Sequence, residues 1–129
     1  MFKEKMSKYF DDIRIVYAAN QGGGMLELKD GVAVDNFGSG AEVPCDMVFN
    51  RLHITCQGYL TACCVDFDNM MAVADLKVTP LEVAWNNDDF VKLRRQHLNN
   101  SIGNNMCYMC IHNMACERVM PLVSKFYEK

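Results

Sequence analysis

The chain has 129 residues, a formal net charge of -3 and an apolar content of 50%, so we expect one domain with its own hydrophobic core. Only 22% of the residues are charged, which excludes the composition of a disordered chain. The small acidic excess disfavours a nucleic-acid partner. No apolar run approaches the roughly 20 residues that cross a bilayer, so no membrane partner is expected.

In chain order, the first predicted elements are a short helix over residues 2–10 and a strand over 13–17. Apolar residues recur at helical spacing in the first range, and β-branched residues dominate the second. The glycine run at 22–24 lacks the Lys-Ser/Thr of a phosphate-binding loop, which indicates a turn. Residues 1–42 are therefore expected to be a lead-in of helix, strand and linker.

A β-hairpin is predicted in the middle of the chain. Two strand-like runs, 52–56 and 59–64, flank Gly58, whose freedom to adopt a positive φ suits a tight turn. Alternation along the second run places Cys63 and Cys64 on opposite faces. The two adjacent cysteines are therefore not expected to point into one site.

Two helices are predicted after the hairpin. Residues 79–82 have the pattern of a capping box with proline at the first helical position. The second helix is predicted to bury a stripe formed by Phe90, Leu93 and His97. Its other face, which carries Lys92, Arg94, Arg95 and Gln96, is expected to be polar.

A polar loop over residues 99–105 and a terminal helix over 117–127 complete the predicted elements. The sequence thus predicts an α+β fold in which a small β-hairpin is followed by helices around a cysteine site. The N-terminal helix and strand precede it. The domain boundary is placed so that residues 43–129 form the main domain.

The seven cysteines are the most informative part of the composition. The amino terminus lacks a basic stretch followed by an apolar signal core, so the sequence predicts a cytoplasmic protein. In a reducing compartment an odd number of cysteines indicates metal ligation, reactive thiols or small buried residues rather than a disulfide framework.

Cys107 and Cys110 form a Cys-x2-Cys clip, whose spacing lets both thiolates face one metal or cluster. A thioredoxin-like redox pair is an alternative, but such a pair normally lies in a βαβ unit, and here a polar loop precedes it. A tetrahedral zinc ion or a cubane cluster needs about four ligands. Cys45 and Cys63 are best placed to complete the set, because both lie at one end of the hairpin.

The cysteines stand in a recognisable order. In chain order the pattern is Cys45, Gly58-x4-Cys63, a helical gap containing Trp85, and Cys107-x2-Cys110-x5-Cys116. This order resembles the auxiliary iron-sulfur domain of radical S-adenosylmethionine enzymes, the SPASM family and its shortened Twitch relative. Residues 43–129 are accordingly predicted to be a SPASM/Twitch-like auxiliary cluster domain.

The resemblance also implies how many clusters the domain holds. The full SPASM pattern has a further cysteine where this chain has Met120, and no cysteine follows Cys116. The shorter arrangement with one 4Fe-4S cluster is therefore implied. Its implied ligands are Cys45, Cys63, Cys107 and Cys110, with Cys116 as a further candidate.

The remaining cysteines and polar residues receive simpler interpretations. Cys56 and Cys64 are predicted to be buried core residues, since free cysteine is often buried. The three histidines, His53, His97 and His112, are predicted to be polar packing residues or neighbours of the ligands. Hydrogen bonds to cluster sulfurs tune a cluster's potential, and the candidates for them are Arg94, Arg95 and Asn105.

The chain is not expected to be catalytic alone, because it contains no Cys-x3-Cys-x2-Cys triad, the mark of a radical S-adenosylmethionine site. The resemblance implies an accessory domain that moves an electron and helps to shape a substrate site. Its implied partners are a parent catalytic barrel, in the same chain or separate, and a peptide, protein or small-molecule substrate. S-adenosylmethionine would bind only through that parent domain.

A structural zinc module is the alternative. The same four cysteines suit an all-thiolate zinc site, and such a domain would only bind another protein. Thiolate ligands suit either zinc or iron-sulfur clusters, so ligand type does not separate the two functions.

Overall fold

A computed structural model describes residues 2–14, 42–112 and 119–127. Its regular elements are, in chain order, α1 (Phe2–Met6), α2 (Met47–Asn50), β1 (His53–Ile54), β2 (Tyr59–Thr61), β3 (Ala72–Asp75), α3 (Leu81–Trp85), α4 (Asp88–Leu98), α5 (Met106–His112) and a 3-10 turn (Ser124–Phe126). The predicted α+β class is confirmed, with a small antiparallel sheet followed by helices. None of the helices in these ranges is both long and apolar enough to span a bilayer.

The predicted hairpin is confirmed, with shorter strands than the sequence suggests. β1 pairs antiparallel with β2, and His53 lies opposite Thr61. Gly58 has a φ of 86°, a value that costs glycine little because it has no Cβ. Its N–H donates to the carbonyl of Thr55 at 2.9 Å, which closes the turn between the two strands.

The third strand, β3, has no counterpart in the sequence prediction. It pairs antiparallel with the other side of β2, so that β2 is central and the strand order is β1-β2-β3. Ala72, Val73 and Ala74 are all buried. A strand that is buried on both faces lacks the apolar-polar alternation by which strands are recognised, which explains why this one was missed.

The hydrophobic core lies between the sheet and the helices. Its most completely buried apolar side chains include Leu60, Met71, Phe90 and Leu93. Full burial of a side chain of this size stabilises the fold by roughly 1.5–3 kcal/mol. Met106 and Met109 from α5 join the same core, so the helix that carries the cysteine clip is anchored in it.

The two predicted helices after the hairpin are present as α3 and α4, but the predicted capping box is not. Pro80 occupies the N-cap position of α3, with no side-chain capping hydrogen bond. α4 is capped by Asn87, whose side-chain oxygen accepts from the Phe90 N–H at 2.8 Å. The amide of Asn87 also donates to the Val73 carbonyl at 3.0 Å, which ties the start of α4 to β3.

The predicted buried stripe of α4 is confirmed, since Phe90, Leu93 and His97 are its buried residues. The prediction that Arg94 lies on the polar face is wrong. Its Nε donates to the Val48 carbonyl at 2.8 Å, and its Nη1 donates to the Trp85 carbonyl at 2.7 Å. The guanidinium thus links α2, α3 and α4.

Aromatic rings cover the Arg94 guanidinium. Its central carbon lies 4.2 Å from the centre of the Trp85 ring and 4.0 Å from that of Phe90. Burial lowers the pKa of Arg94, and its Nη2 has no hydrogen-bond partner among the described residues. Two carbonyls and two ring faces therefore compensate for the partial desolvation of the cation.

The predicted terminal helix is wrong wherever it falls on described residues. Of residues 119–127, only Ser124–Phe126 form a single 3-10 turn, because Pro121 lacks the N–H of a helix interior. The segment is instead held by backbone hydrogen bonds, from Met120 to Asn104 and from Leu122 to Met70, both at 2.8 Å. The other part of the prediction, residues 117–118, lies outside the described residues.

At the amino terminus, α1 covers part of the predicted helix and buries no residue. Most of the strand predicted over residues 13–17 lies outside the described residues. Ile13 and Arg14, which are described, are not in a strand.

A buried carboxylate holds the loop between β2 and β3. Asp66 accepts hydrogen bonds from the Thr61 hydroxyl at 2.6 Å and from the Met70 and Met71 N–H groups at 2.7 and 2.9 Å. Hydrogen bonds to a charged acceptor are stronger than neutral ones, and a buried donor that loses its acceptor is costly. The loop that carries Cys63 therefore depends on Asp66.

We predict that Asp66→Ala lowers the free energy of unfolding by about 3 kcal/mol, because three donors lose a shared buried acceptor. Urea unfolding followed by circular dichroism measures the change. Asp68→Ala is the matched control, since Asp68 is an exposed residue of the same loop and its removal should change the stability by less than about 0.5 kcal/mol. Equal changes in the two variants would contradict the role of Asp66.

We predict that Arg94→Lys lowers the free energy of unfolding by about 2 kcal/mol, because a single ammonium cannot reproduce the planar fork that reaches two carbonyls. The same unfolding assay applies. Arg95→Lys is the control, because Arg95 is the exposed neighbour on α4. A loss of stability in the control as large as that in Arg94→Lys would show that the fork is unimportant.

Candidate metal centre

The cysteine clip lies on α5, a helix that the sequence prediction does not contain. Cys107 and Cys110 are three positions apart in it, and residues at this spacing are neighbours on one side of a helix. The side-chain oxygen of Asn105 accepts from the N–H groups of Cys107 at 3.0 Å and Tyr108 at 3.3 Å. Asn105, predicted as a hydrogen-bond donor to cluster sulfur, therefore serves as an acceptor that caps the helix start.

Cys45 lies just before α2 and is held by α4. Its backbone N–H donates to Nδ1 of His97 at 3.3 Å. His97 is only 1% exposed, and burial lowers the pKa of its imidazole. Because Nδ1 accepts this hydrogen bond, it carries no hydrogen, and the ring anchors the main chain of Cys45 to the buried face of α4.

Cys63 follows β2 in the loop that Asp66 organises. Its side chain is half-buried and packs against the core, whereas the next residue, Cys64, is exposed. The carbonyl of Cys63 accepts from the Asp66 N–H at 3.3 Å. Cys63 and Cys64 were expected to point in different directions, and the difference in burial between them agrees with this expectation.

The prediction that Cys56 and Cys64 are buried core residues is wrong, because both are exposed. Cys56 lies in the turn between β1 and β2, beyond the end of β1 at Ile54. Cys64 lies beyond the end of β2 at Thr61. The prediction extended both strands too far. The alternation of side chains between two faces applies only within a strand, and both cysteines lie beyond the strand ends.

Cys45, Cys63, Cys107 and Cys110, which we call the cysteine quartet, form one electrostatically interacting group. Burial raises the pKa of Cys107, and the charges of the other three quartet thiols and of Asp66 raise it further. The pKa of Cys63 is raised to about 12, chiefly by burial; a hydrogen bond with the Val65 backbone lowers it, and the charges of the adjacent Cys64 and of Cys110 and Cys45 raise it further. Three separate chain segments therefore converge on one region.

These raised pKa values argue against the thioredoxin-like alternative. A reactive thiol in a redox pair has a lowered pKa, whereas burial and neighbouring charge raise the pKa of Cys107. The clip also lies within a helix, not between a strand and a helix. None of the six described cysteines forms a disulfide.

The donor chemistry of the quartet fits an iron-sulfur cluster. Soft thiolate ligands are those that zinc and iron-sulfur clusters select, and the half-buried thiols lie at the edge of an apolar core. Within residues 2–14, 42–112 and 119–127, no group of three His, Cys, Asp or Glu side chains is arranged to hold a single metal ion. Cys116, the further candidate ligand, lies outside these ranges.

An open cleft of about 460 Å³ lies on the hairpin side of Cys63. Its lining includes His53, Cys56, Cys63, Cys64, Asp66 and Phe67. Burial, and secondarily the charge of Arg51, lower the pKa of His53. Within the quartet, Cys63 is the member that lines this cleft.

The positions of the remaining candidates vary. His112 on α5 and Arg95 on α4 are exposed, whereas His97 is buried as predicted for a packing residue.

Two supports of the quartet were missed from the sequence, namely the contact of His97 with Cys45 and the role of Asp66. A lone acidic residue between apolar ones, as at Val65-Asp66-Phe67, is the signal that could have indicated a buried acceptor.

Comparison with known proteins supports an iron-sulfur site. The family model SPASM, described as an iron-sulfur cluster-binding domain, matches residues 45–111, just over half of the chain. The matched range begins at Cys45 and contains the whole quartet, whereas Cys116 lies beyond it. No curated protein and no solved structure matches the chain.

We predict that iodoacetamide alkylates the exposed Cys56 and Cys64 of the metal-free, reduced chain at pH 8 more than about tenfold faster than Cys107, because alkylation requires an accessible thiolate. Peptide mapping by mass spectrometry gives the rate at each cysteine. The rate at Cys63 should keep rising above pH 9, since its pKa is about 12. Equal rates at Cys56 and Cys107 would contradict the difference in burial.

Proposed function

The chain belongs to the SPASM family of iron-sulfur cluster-binding domains, and from that premise we propose that the cysteine quartet holds one 4Fe-4S cluster. The observation that carries this proposal is that the matched range contains all four cysteines and that the fold leaves each of them only partly exposed, with Cys63 and Cys107 packed against one hydrophobic core. Burial is the main cause of the raised pKa of Cys107 and Cys63, and the charges of other quartet thiols raise it further. The quartet also supplies one thiolate for each iron of a cubane cluster.

The quartet must lose four protons to bind iron, because the ligand is the thiolate. Burial, and secondarily the charges of neighbouring thiols, raise the pKa of Cys107 and Cys63, so these two thiols are protonated near pH 7 when no cation is present. Binding is therefore expected to release protons and to strengthen as pH rises. When bound, the cluster supplies one-electron redox chemistry, whose potential depends on burial and on hydrogen bonds to sulfur.

We propose that the domain serves a radical S-adenosylmethionine enzyme as its auxiliary electron-transfer site. SPASM domains typically accompany such catalytic domains, and the parent barrel would lie in the same chain or in a separate one. S-adenosylmethionine would bind to that barrel. In this arrangement residues 1–42 are the lead-in, and residues 43–129 are the auxiliary domain.

We further propose that a peptide or small-molecule substrate approaches the quartet through the cleft that Cys63 lines. The cleft is open to solvent and combines apolar side chains such as Phe67 with polar ones such as Thr55. A mixed lining of this kind suits a peptide, which presents both apolar side chains and backbone hydrogen-bonding groups.

The alternative function is a structural zinc module that binds another protein. The donor set alone suits both metals, and membership of an iron-sulfur family favours iron. Metal analysis of protein purified without oxygen decides between them. We predict brown protein with broad visible absorption and about four irons per chain, and colourless protein with one zinc ion would overturn the proposal.

We predict that serine at any quartet position lowers both the iron content and the stability of the loaded protein, because metal binding is coupled to folding. Cys107→Ser should lose at least about half of the iron, measured by metal analysis of the purified variant. Cys56→Ser and Cys64→Ser are matched controls, since both residues are exposed and should retain the iron. Equal iron loss in controls and quartet variants would show that the ligand assignment is wrong.

A further inference from the structure

The cleft beside Cys63 presents more sulfur than the proposed cluster uses. Three cysteines line it, namely Cys56, Cys63 and Cys64. Its volume of about 460 Å³ is that of a small-ligand pocket, for which roughly 300–1,000 Å³ is usual. Cys56 and Cys64 do not belong to the quartet, and both are exposed. Exposed free thiols are a liability for a protein, so two of them beside a proposed ligand call for an explanation.

The two exposed thiols lie at opposite ends of β2. Cys56 is in the turn that precedes this strand, and its thiol donates to the side-chain oxygen of Gln57 at 3.2 Å. Cys64 lies beyond the other end of the strand, which is at Thr61, and directly follows Cys63. Cys64 is therefore the exposed thiol that adjoins a quartet residue.

The nitrogen and carboxylate groups of the cleft are less suited to meet incoming iron. The Nε2 atom of His53 is buried, so it is not presented to the solvent side of the cleft. Both carboxylate oxygens of Asp66 already accept hydrogen bonds from the protein. Iron-sulfur clusters select soft thiolate ligands. The exposed cysteines are therefore the donors that match iron and are accessible to it.

A metal site needs a path by which the metal arrives, and the cleft offers one. Cys63 is the quartet member on its wall, and the thiol of Cys63 is half-buried, whereas that of Cys64 is exposed. A cluster that arrives through the cleft therefore meets Cys64 more readily than Cys63. We propose that Cys64 is a loading ligand, which binds an incoming thiolate-ligated iron-sulfur cluster first and then passes it to Cys63. This inference rests on the proposed function.

The transfer consists of two ligand exchanges and moves no electron. In the first exchange, the sulfur of Cys64 bonds to iron as the carrier's thiolate leaves, and the proton of the Cys64 thiol goes to that thiolate. In the second, the sulfur of Cys63 replaces that of Cys64, which takes up the proton that the Cys63 thiol gives up. Because Cys64 already holds the iron in the cleft, the second exchange is intramolecular and therefore fast.

This role concerns the rate of loading and not the final occupancy. At equilibrium the quartet alone holds the cluster, so the loss of Cys64 leaves the final iron content unchanged. The inference is therefore consistent with the use of Cys64→Ser as a control for iron content. The cleft serves loading before it receives a substrate.

The test compares loading rates. The metal-free, reduced full chain is mixed without oxygen with a 4Fe-4S cluster ligated by 2-mercaptoethanol, and the iron on the protein is measured after rapid desalting at successive times. We expect Cys64→Ser to load at least about tenfold more slowly than the wild type, because the intramolecular step is lost, and to reach the same final iron content.

Cys56→Ser is the matched control, since it removes the other exposed thiol of the same cleft, and it should load at the wild-type rate. A wild-type rate in Cys64→Ser would overturn the inference. Equal slowing in both variants would also overturn it, because any exposed thiol of the cleft would then serve. A lower final iron content in Cys64→Ser would make Cys64 a permanent ligand, which likewise contradicts a transient role.

A second measurement on the wild type follows the individual thiols. Pulses of N-ethylmaleimide at successive times during loading, followed by peptide mapping, report which cysteines are bound to iron at each time. Cys64 should lose reactivity before Cys63 does and regain it when loading is complete, whereas Cys56 should react throughout. Unchanged reactivity of Cys64 during loading would overturn the inference. A wild-type chain that takes up no iron would instead contradict the proposed function itself, so the two failures are distinguishable.

Discussion

Buried thiols that lie side by side cannot all be ionised unless a cation is bound among them. The contacts that support the cysteine quartet follow from this constraint. Burial and mutual repulsion raise the pKa of Cys107 and Cys63. The fold must therefore hold the thiols together by other means. It does so with Asn105 at the start of α5, His97 against Cys45 and Asp66 beneath Cys63.

The sequence predicts that the quartet comes together, because the spacing of cysteines reflects the number and arrangement of thiolates that a metal site requires. It does not predict the supports. His97 acts on Cys45 through a hydrogen bond between segments that are 52 positions apart, and no local pattern encodes such a contact. Asn105 and Asp66 accept from groups within five positions of them, but these acceptor roles depend on where α5 begins and on how the loop after β2 folds. The wrong prediction of burial at Cys56 and Cys64 has a related cause, since periodicity does not tell where a strand ends.

The elements that were predicted correctly carry strong local signals, and the missed ones depend on tertiary contacts. Gly58 marks the hairpin, and the stripe of Phe90, Leu93 and His97 marks α4. In contrast, α5 has only seven residues, too few to be stable alone, and Met106 and Met109 hold it in the core. The terminal segment is likewise shaped by backbone hydrogen bonds to other parts of the chain, which override its helical periodicity.

The helical gap between the two pairs of quartet cysteines is more than a spacer. α4 contacts the segment around Cys45 at two points, through Arg94 on the Val48 carbonyl and through His97 on the Cys45 N–H. These two residues are three positions apart, so they share one side of the helix. Arg94 also binds the end of α3, and Asn87 binds β3. The helices of the gap therefore hold Cys45 in place relative to the sheet, and Cys63 follows the central strand of that sheet.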